Sequence, residues 1–382
     1  MDFELTEQQR LFRQSIRDFA RKEVAPHASE IDEHERFPAE LIKKIADLGL
    51  FGLSIPPAYG GHGGTLLDAT IAMEELSWAC PSTALAWGVC ISLYGSSLLK
   101  GGNEEQKKRF LTPVASGQRL GAFALSEASC GSDAAALRCQ ARRDGESYVL
   151  NGAKYWISNG AEADYVVVYT TVDPALRTKG ITAFVVEKGT RGFSVGKLER
   201  KMGIRGTSTA ELIFDDCRVP AANRLGPEGA GFRLAMNVLD ASRIGIGAQA
   251  LGIAQAAYDA ALGYAKQRQA FGQPLAGFQA IQWMLADMAT DLDAARLLLY
   301  RVATMVERGV PFIKEACMAK LFATEMAERV CSKAVQVHGG VGYVKGSVVE
   351  RCYRDQRVTS IYEGTSEIQR LTMARQLLAE GG

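Results

Sequence analysis

The apolar pattern of this chain changes period twice, and that double change limits the fold more than any other feature. Up to about residue 119 the spacing is helical. From about 120 to 223 it gives way to β-branched and aromatic runs with tight-turn dipeptides among them. After Gly231 helical spacing returns and persists. Helices, then strands, then helices is an α+β order, whereas a βαβ chain would interleave them. No GxGxxG follows a strand, so a Rossmann-type dinucleotide site is not supported. The expected parts are a helical domain over 1–119, a central β-domain over 120–226 and a helical bundle over 227–382.

Local signals place the elements. Thr6-Glu7-Gln8-Gln9 forms a capping box, followed by Leu11, Phe12, Ile16 and Phe19 on one face. Pro38 suits the first turn of a helix carrying Leu41, Ile45 and Leu48 and closed by Gly49. The Ala58–Gly64 segment is a glycine-rich loop, and helical patterns resume over Met73–Leu76 and Thr83–Leu99. Asp144-Gly145 and Asn151-Gly152 predict tight turns between strands. Tyr165–Thr170, Ile181–Val186 and Thr209–Phe214 are strand runs. Ile281, Met284, Leu285, Met288, Leu292, Ala295, Leu298, Leu299 and Val302 hold a helical stripe for about six turns. A further helix fits Phe312–Val337, broken by Gly339, Gly340 and Gly342, and a last one fits Ser366–Leu378.

Composition narrows the class. A net charge of +1 gives no global field for nucleic acid. The Met1-Asp2-Phe3-Glu4 start lacks the basic and apolar regions of a secretory signal, and no uncharged apolar stretch of about 18 residues stands out as a membrane span. The eight cysteines form no CxxC pair. They read as reduced thiols of a cytoplasmic protein, and with four scattered histidines no metal site is expected.

Four segments carry more polar groups or glycines than packing requires. Phe123 to Asp133 holds Ser126, Gly131 and Ser132, donors that suit an anionic or planar ligand. The plainer reading is a polar surface turn. Trp156-Ile157-Ser158 can flank a ring and bond its edge; alternatively, the Trp is a core residue at a strand end. Arg268 beside Phe271, with Gln279 beyond, suits a pyrophosphate and an adenine, although surface arginines at helix ends are common. Tyr362-Glu363-Gly364-Thr365 sets an acid in a turn before a helix, with Thr365 or Ser366 as N-cap. Alone, that acid reads as a solvated carboxylate.

Together these segments resemble the acyl-CoA dehydrogenase family over essentially the whole chain. FALSEASCGSDA, KYWISNGA, RQAFGQPLAGFQA, AVQVHGGVGY and IYEGTSEIQR stand in the family's order and approximate spacing. The resemblance implies an N-terminal α-helical domain, a central β-domain and a C-terminal four-helix bundle. It also implies bound FAD, a homotetramer built as a dimer of dimers, and an electron-transferring flavoprotein as acceptor. It assigns Phe123, Leu125, Ser126, Trp156 and Ser158 to the isoalloxazine, with Gly131, Ser132 and Ile157 in the same cofactor-binding loops. Arg268, Phe271 and Gln279 would reach the FAD of a neighbouring subunit. Gln336, Gly339 and Gly340 would approach its diphosphate and adenosine end, and Thr365 and Glu367 the adenosine half. Ser132, Asp240, Arg243, Tyr362 and Gly364 are the implied substrate contacts, with Asp240 and Arg243 at the start of a helix.

The implied chemistry is α,β-dehydrogenation of an acyl-CoA. Glu363 takes the α-proton while the β-hydrogen leaves as hydride to flavin N5. The Glu363 N–H and a ribityl hydroxyl polarise the thioester carbonyl, an effect of ~3–4 kcal/mol per donor. A base in a dry pocket has its pKa raised toward working pH. Some relatives carry the base at the position of Ser242, which cannot serve here. Ala128, Phe123 and Cys130 depart from the family's usual Pro, Tyr and small residue, and put the stiffness of the loop and the substrate in question. Trp87, Ile91 and Tyr94 share a helical face and read as core. If they lined the pocket instead, they would favour short, branched or cyclic acyl groups. Ala84 stands where glutaryl-specific relatives have an arginine. An oxygen-using oxidase, a dehydrogenase of carrier-protein thioesters and a DNA-associated damage-response relative are the alternatives.

Overall fold

The computed structural model describes residues 4–379. The first three residues, on which part of the leader argument rests, lie outside them. The N-terminal part consists of α1 (Glu7–Phe19), α2 (Ala28–His34), α3 (Ala39–Asp47), α4 (Leu66–Ala79) and α5 (Pro81–Gly101), with shorter turns between. The Thr6 capping box forms with Gln9 as its partner. Ile16 is buried, but Leu11 is 66% exposed, so the expected face is narrower than the sequence suggests. Pro38 caps α3 from outside rather than opening it, and Gly49 takes the left-handed conformation expected of a helix stop.

Helix α5 corrects the membrane reading. Its Pro81–Gly101 span is long and apolar enough to cross a bilayer by length and composition, because no charge occurs before Lys100. Yet 83% of its apolar window is buried inside the protein, as in a core helix. Trp87 and Tyr94 are fully buried, donating to the Leu50 carbonyl (3.1 Å) and the Phe110 carbonyl (3.1 Å). They are core side chains.

The central part is a mixed sheet of β1 (Gly121–Ala124), β2 (Gln140–Asp144), β3 (Ser147–Ser158), β4 (Tyr165–Thr171), β5 (Ile181–Glu187), β6 (Phe193–Leu198), β7 (Thr209–Pro220) and β8 (Arg224–Leu225). The strand order is β6-β7-β3-β2-β4-β5-β8, with β1 parallel to β4. Strands β4 and β5 are buried on both faces. Val167, Tyr169, Ala183 and Val185 face the helices, while Val166, Val168, Phe184 and Val186 face a second core inside the β-domain. This explains why those runs lack polar alternation. Asp144-Gly145 does turn a hairpin between β2 and β3. Asn151-Gly152 does not: it lies within β3, opposite a bulge in β7. The Asn151 side chain spans that bulge, accepting from the Asp216 N–H (2.8 Å) and donating to its carboxylate (3.1 Å).

The C-terminal part packs α6 (Gly231–Gln267), α7 (Gln279–Glu307), α8 (Ile313–His338) and α10 (Ser366–Ala379), with the shorter α9 (Val348–Gln356) alongside. The stripe on α7 faces inward as expected. The alanine-rich α6 runs through the centre and also packs on α4. Several hydrogen bonds join the β-domain to its neighbours, two of them made by buried side chains. Asn159 donates to the Ala86 carbonyl (2.8 Å), and the Ile204 N–H donates to the buried Asp355 (2.6 Å).

Candidate active site

The turn after α9 carries the acid. Glu363 and Gly364 both have positive φ, 51° and 91°. For a glutamate that conformation is strained and must be held by its surroundings. Two buried side chains hold it. Lys320, on α8 and fully buried, donates to the Gly364 carbonyl at 2.8 Å. Gln369, on α10 and equally buried, donates to the carbonyls of Gly364 (2.9 Å) and Glu363 (3.2 Å). Before the acid, the Tyr362 hydroxyl donates to Gln249 of α6. Thr365 caps α10 by accepting the Ile368 N–H at 3.3 Å.

The Glu363 residue is partly exposed, but its Oε2 is out of solvent. Burial pushes its pKa up from 4.5 to about 6, opposed by the nearby Ser242 hydroxyl and by the charges of Lys320 and Arg243. Oε2 has no hydrogen-bond partner, and the Ser242 hydroxyl donates to the Leu239 carbonyl at 3.2 Å. Among the described residues the Glu363 N–H donates to no group either. A basic oxygen and an amide donor in one turn are therefore both available to a ligand.

Asp240 and Arg243 lie well inside α6 rather than at its start, which corrects the sequence reading. Arg243 is 6% exposed, pairs with Asp240 at 2.8 Å and donates to the Cys317 sulfur at 3.3 Å. Its charge acts on Glu363 from within the bundle. Burial pushes the Asp240 carboxyl above its ordinary range.

A second group forms on the β-domain. Between Lys154 and Ile157 the register of β3 against β7 slips, leaving Tyr155 and Trp156 in a bulge. Trp156 takes φ 58° and its residue is 52% exposed, because the bulge turns it off the sheet. The Tyr155 N–H donates to the Ser126 carbonyl at 3.0 Å, tying this bulge to the first loop. The Ser126 and Ser158 hydroxyls have no partner among the described residues. Beneath the loop, the fully buried Lys154 donates to Glu127 (2.7 Å) and to the Leu125 carbonyl (2.9 Å). Glu127 also accepts the N–H groups of Arg138 and Cys139. Cys130 closes the loop from inside, donating to the Asp133 carbonyl at 3.1 Å, while Ala128, Gly131 and Ser132 are exposed. Phe123 packs on Tyr169, ring centroids 4.9 Å apart. Leu125 and Ile157 are buried in the two cores, so their side chains face the protein.

A third group lies at the far end of the bundle. Arg268 and Gln279 are exposed, and Phe271, at the tip of a small hairpin, is 96% exposed. Tyr264 stacks on His338 with ring centroids 4.4 Å apart, bringing Arg268 to the same end as Gln336, Gly339 and Gly340. Lys320 and Gly339 are nineteen residues apart along α8, or about 28 Å at 1.5 Å per residue. One chain thus does not bring this group to Glu363. Thr365 and Glu367 line a separate cleft of about 410 Å³ with Glu325, Arg329 and Arg357.

Sequence reasoning missed Lys320, Gln369 and the Glu127–Lys154 pair. A lysine on the apolar face of α8 and another inside a strand were the available signals.

A half-exposed indole beside unbonded hydroxyls fits a planar, hydrogen-bonding ring. A dry carboxylate on a braced turn fits proton abstraction. This combination defines a flavin-dependent dehydrogenase of the helical–sheet–helical type. The comparisons agree. Residues 6–118, 122–217 and 229–378 match the N-terminal, middle and C-terminal domains of acyl-CoA dehydrogenase. The mitochondrial short-chain specific acyl-CoA dehydrogenase of Homo sapiens is 51% identical over 375 residues, 98% of this chain and 91% of that one. The butyryl-CoA dehydrogenase structure from Megasphaera elsdenii is 43% identical, with a TM-score of 0.97 over 99% of this chain and 100% of that chain. A glutaryl-CoA dehydrogenase from Mycobacterium smegmatis in complex with FADH2 is 30% identical, with a TM-score of 0.93 over 98% of this chain and 95% of that one. The chain belongs to the acyl-CoA dehydrogenase family, a family of FAD-dependent oxidoreductases.

Proposed function

We propose that this enzyme uses FAD to dehydrogenate a short-chain acyl-CoA to its 2-enoyl-CoA, with Glu363 as the base. The observation that carries the reading is the Glu363 carboxylate: dry, raised to about 6, and with Oε2 unengaged beside a free N–H. Near neutral pH such a carboxylate is ionised yet poorly solvated, which suits it to take a weakly acidic α-proton. The Glu363 N–H, donating to the thioester carbonyl, would stabilise the charge that develops as the proton leaves. Tyr362 and Gly364 frame that position, and Ser132, Asp240 and Arg243 are candidates for the coenzyme A arm.

Trp156, Ser126 and Ser158 would hold the flavin ring of FAD, with Phe123 and the backbones of Leu125, Gly131 and Ile157 shaping the loop. When bound, FAD supplies the two-electron acceptor for the β-hydrogen. Arg268, Phe271, Gln279, Gln336, Gly339 and Gly340 are too far from Glu363 in one chain to share its cofactor. That separation supports a homo-oligomer, a tetramer by family resemblance, in which they complete a neighbour's site. Thr365 and Glu367 would serve the adenosine half. Electrons would pass on to an electron-transferring flavoprotein. The short acyl group follows the relatives that this chain resembles. All eight cysteines are free and buried, which suits a reducing compartment such as the cytoplasm.

Anaerobic titration of the bound flavin with acyl-CoAs of increasing length tests the reading. Bleaching should be fastest with a short chain. A clear optimum at twelve or more carbons would overturn the substrate, and no bleaching with any acyl-CoA would overturn the reaction. Rapid peroxide formation without an added acceptor would point to an oxidase.

A further inference from the structure

Lys320 is a cation in a place that packing does not explain. Its side chain is wholly buried, and desolvation lowers its pKa from 10.5 to about 8. A buried ammonium costs free energy unless it is paired. The one hydrogen bond it makes to this turn, to the Gly364 carbonyl, goes to an oxygen that Gln369 already satisfies. A methionine would fill the same space without the desolvation. The groups acting on the amine are Glu363 in the turn, Glu367 on α10, Arg243 on α6 and Cys317 on its own helix. Of these, Glu363 is the largest influence that favours its charge.

We propose that Lys320 is a positioning residue for the base. Through the Gly364 carbonyl its ammonium holds the strained Glu363–Gly364 turn, and its charge steadies the ionised Glu363 carboxylate. The inference rests on Glu363 being the base, and adds to that reading the group that aims it. It also explains why a costly cation sits beneath the turn that carries the acid. Proton transfer needs the carboxylate oxygen placed to within a fraction of an ångström, and the turn has two left-handed residues that would relax if released.

The test uses the purified holoenzyme and the variants Lys320→Met and Lys320→Gln. Lys320→Met removes both donor and charge, whereas Lys320→Gln keeps a donor and removes the charge. Flavin content should stay at the wild-type level in both. Lys320→Met should unfold at the wild-type temperature or higher at pH 7, because the desolvation cost is gone. Its kcat should fall by roughly 10- to 100-fold with KM little changed, a loss expected of misaligned groups. In both variants the acid limb of kcat/KM should move up by about one pH unit, because a nearby positive charge no longer favours the carboxylate. Wild-type kcat and an unmoved limb in Lys320→Met would overturn the proposal. So would a lowered unfolding temperature that Lys320→Gln restores together with activity, since that is the behaviour of a purely structural donor. Wild-type enzyme that fails to oxidise any acyl-CoA would instead remove the reading of Glu363 itself, and this is seen before any variant is made.

Discussion

The Ser242 hydroxyl, which donates to the Leu239 carbonyl at 3.2 Å, stands on α6 close enough to the Glu363 carboxylate after α9 to lower its pKa. Ser242 thus acts on the acid proposed as the base. A hydroxyl close to a carboxylate favours its ionised form, and Ser242 opposes the upward push of burial. Ser242→Ala should therefore raise the Glu363 pKa above its present value of about 6. The acid limb of a kcat/KM profile should move up by roughly half a pH unit, with activity at pH 8 little altered. A limb that stays in place would show that the hydroxyl does not act on the base.

Glu363→Gln separates chemistry from stability. It should retain flavin and lose dehydrogenation almost entirely. The stability effect has the opposite sign. Between pH 4.5 and about 6 the folded chain keeps the Glu363 proton that the unfolded chain has released. Stability therefore falls as pH rises through that window, and the ionised acid remains a burden above it. The variant should gain on the order of 1–2 kcal/mol at pH 7 and little at pH 4. Denaturant unfolding at the two pH values checks this. Near-normal turnover in the variant would remove Glu363 from the mechanism.

The three-part order was legible because a change of period needs no tertiary information. The α7 stripe and the β4 and β5 runs fell where expected for that reason. Asn151-Gly152 misled because it is an ideal turn dipeptide, yet here Asn151 spends its side chain bridging a bulge in a neighbouring strand. Leu11 was placed inward by spacing that cannot say where a neighbour ends. Glu363 was legible only through the motif around it. Its turn is held by Lys320 and Gln369 and its carboxylate is acted on by Ser242, and these three come from separate helices and share no local pattern.

The loop that carries Ser126, proposed to meet the flavin, is braced by a buried ion pair. Lys154→Met would leave the Glu127 carboxylate buried with the Arg138 and Cys139 amides but without its counter-charge. Removing one partner of a buried pair costs about 3–5 kcal/mol. The Leu125 carbonyl also loses its donor, so the backbone beside Ser126 loosens. Reduced unfolding stability together with reduced flavin content is expected. Full flavin content at unchanged stability would mean the pair does not organise the loop.

Gly252 sets the spacing of two helices that the site relies on. It lies on α6 against α4, where a Cβ would come within 2.2 Å of the Glu74 carbonyl oxygen and 2.8 Å of the Ser77 Cβ. Backbone cannot yield as a flexible side chain would, so Gly252→Ala must push the helices apart. Overpacking of this kind costs about 1–3 kcal/mol. The displaced helix is also the one that presents Ser242, Arg243 and Gln249 to the Tyr362–Gly364 turn. Gly252→Ala should therefore lower both the unfolding temperature and kcat, whereas Gly263→Ala, on the same helix with open space around it, should lower neither. Equal behaviour of the two variants would show that the α6–α4 contact does not bear on the site.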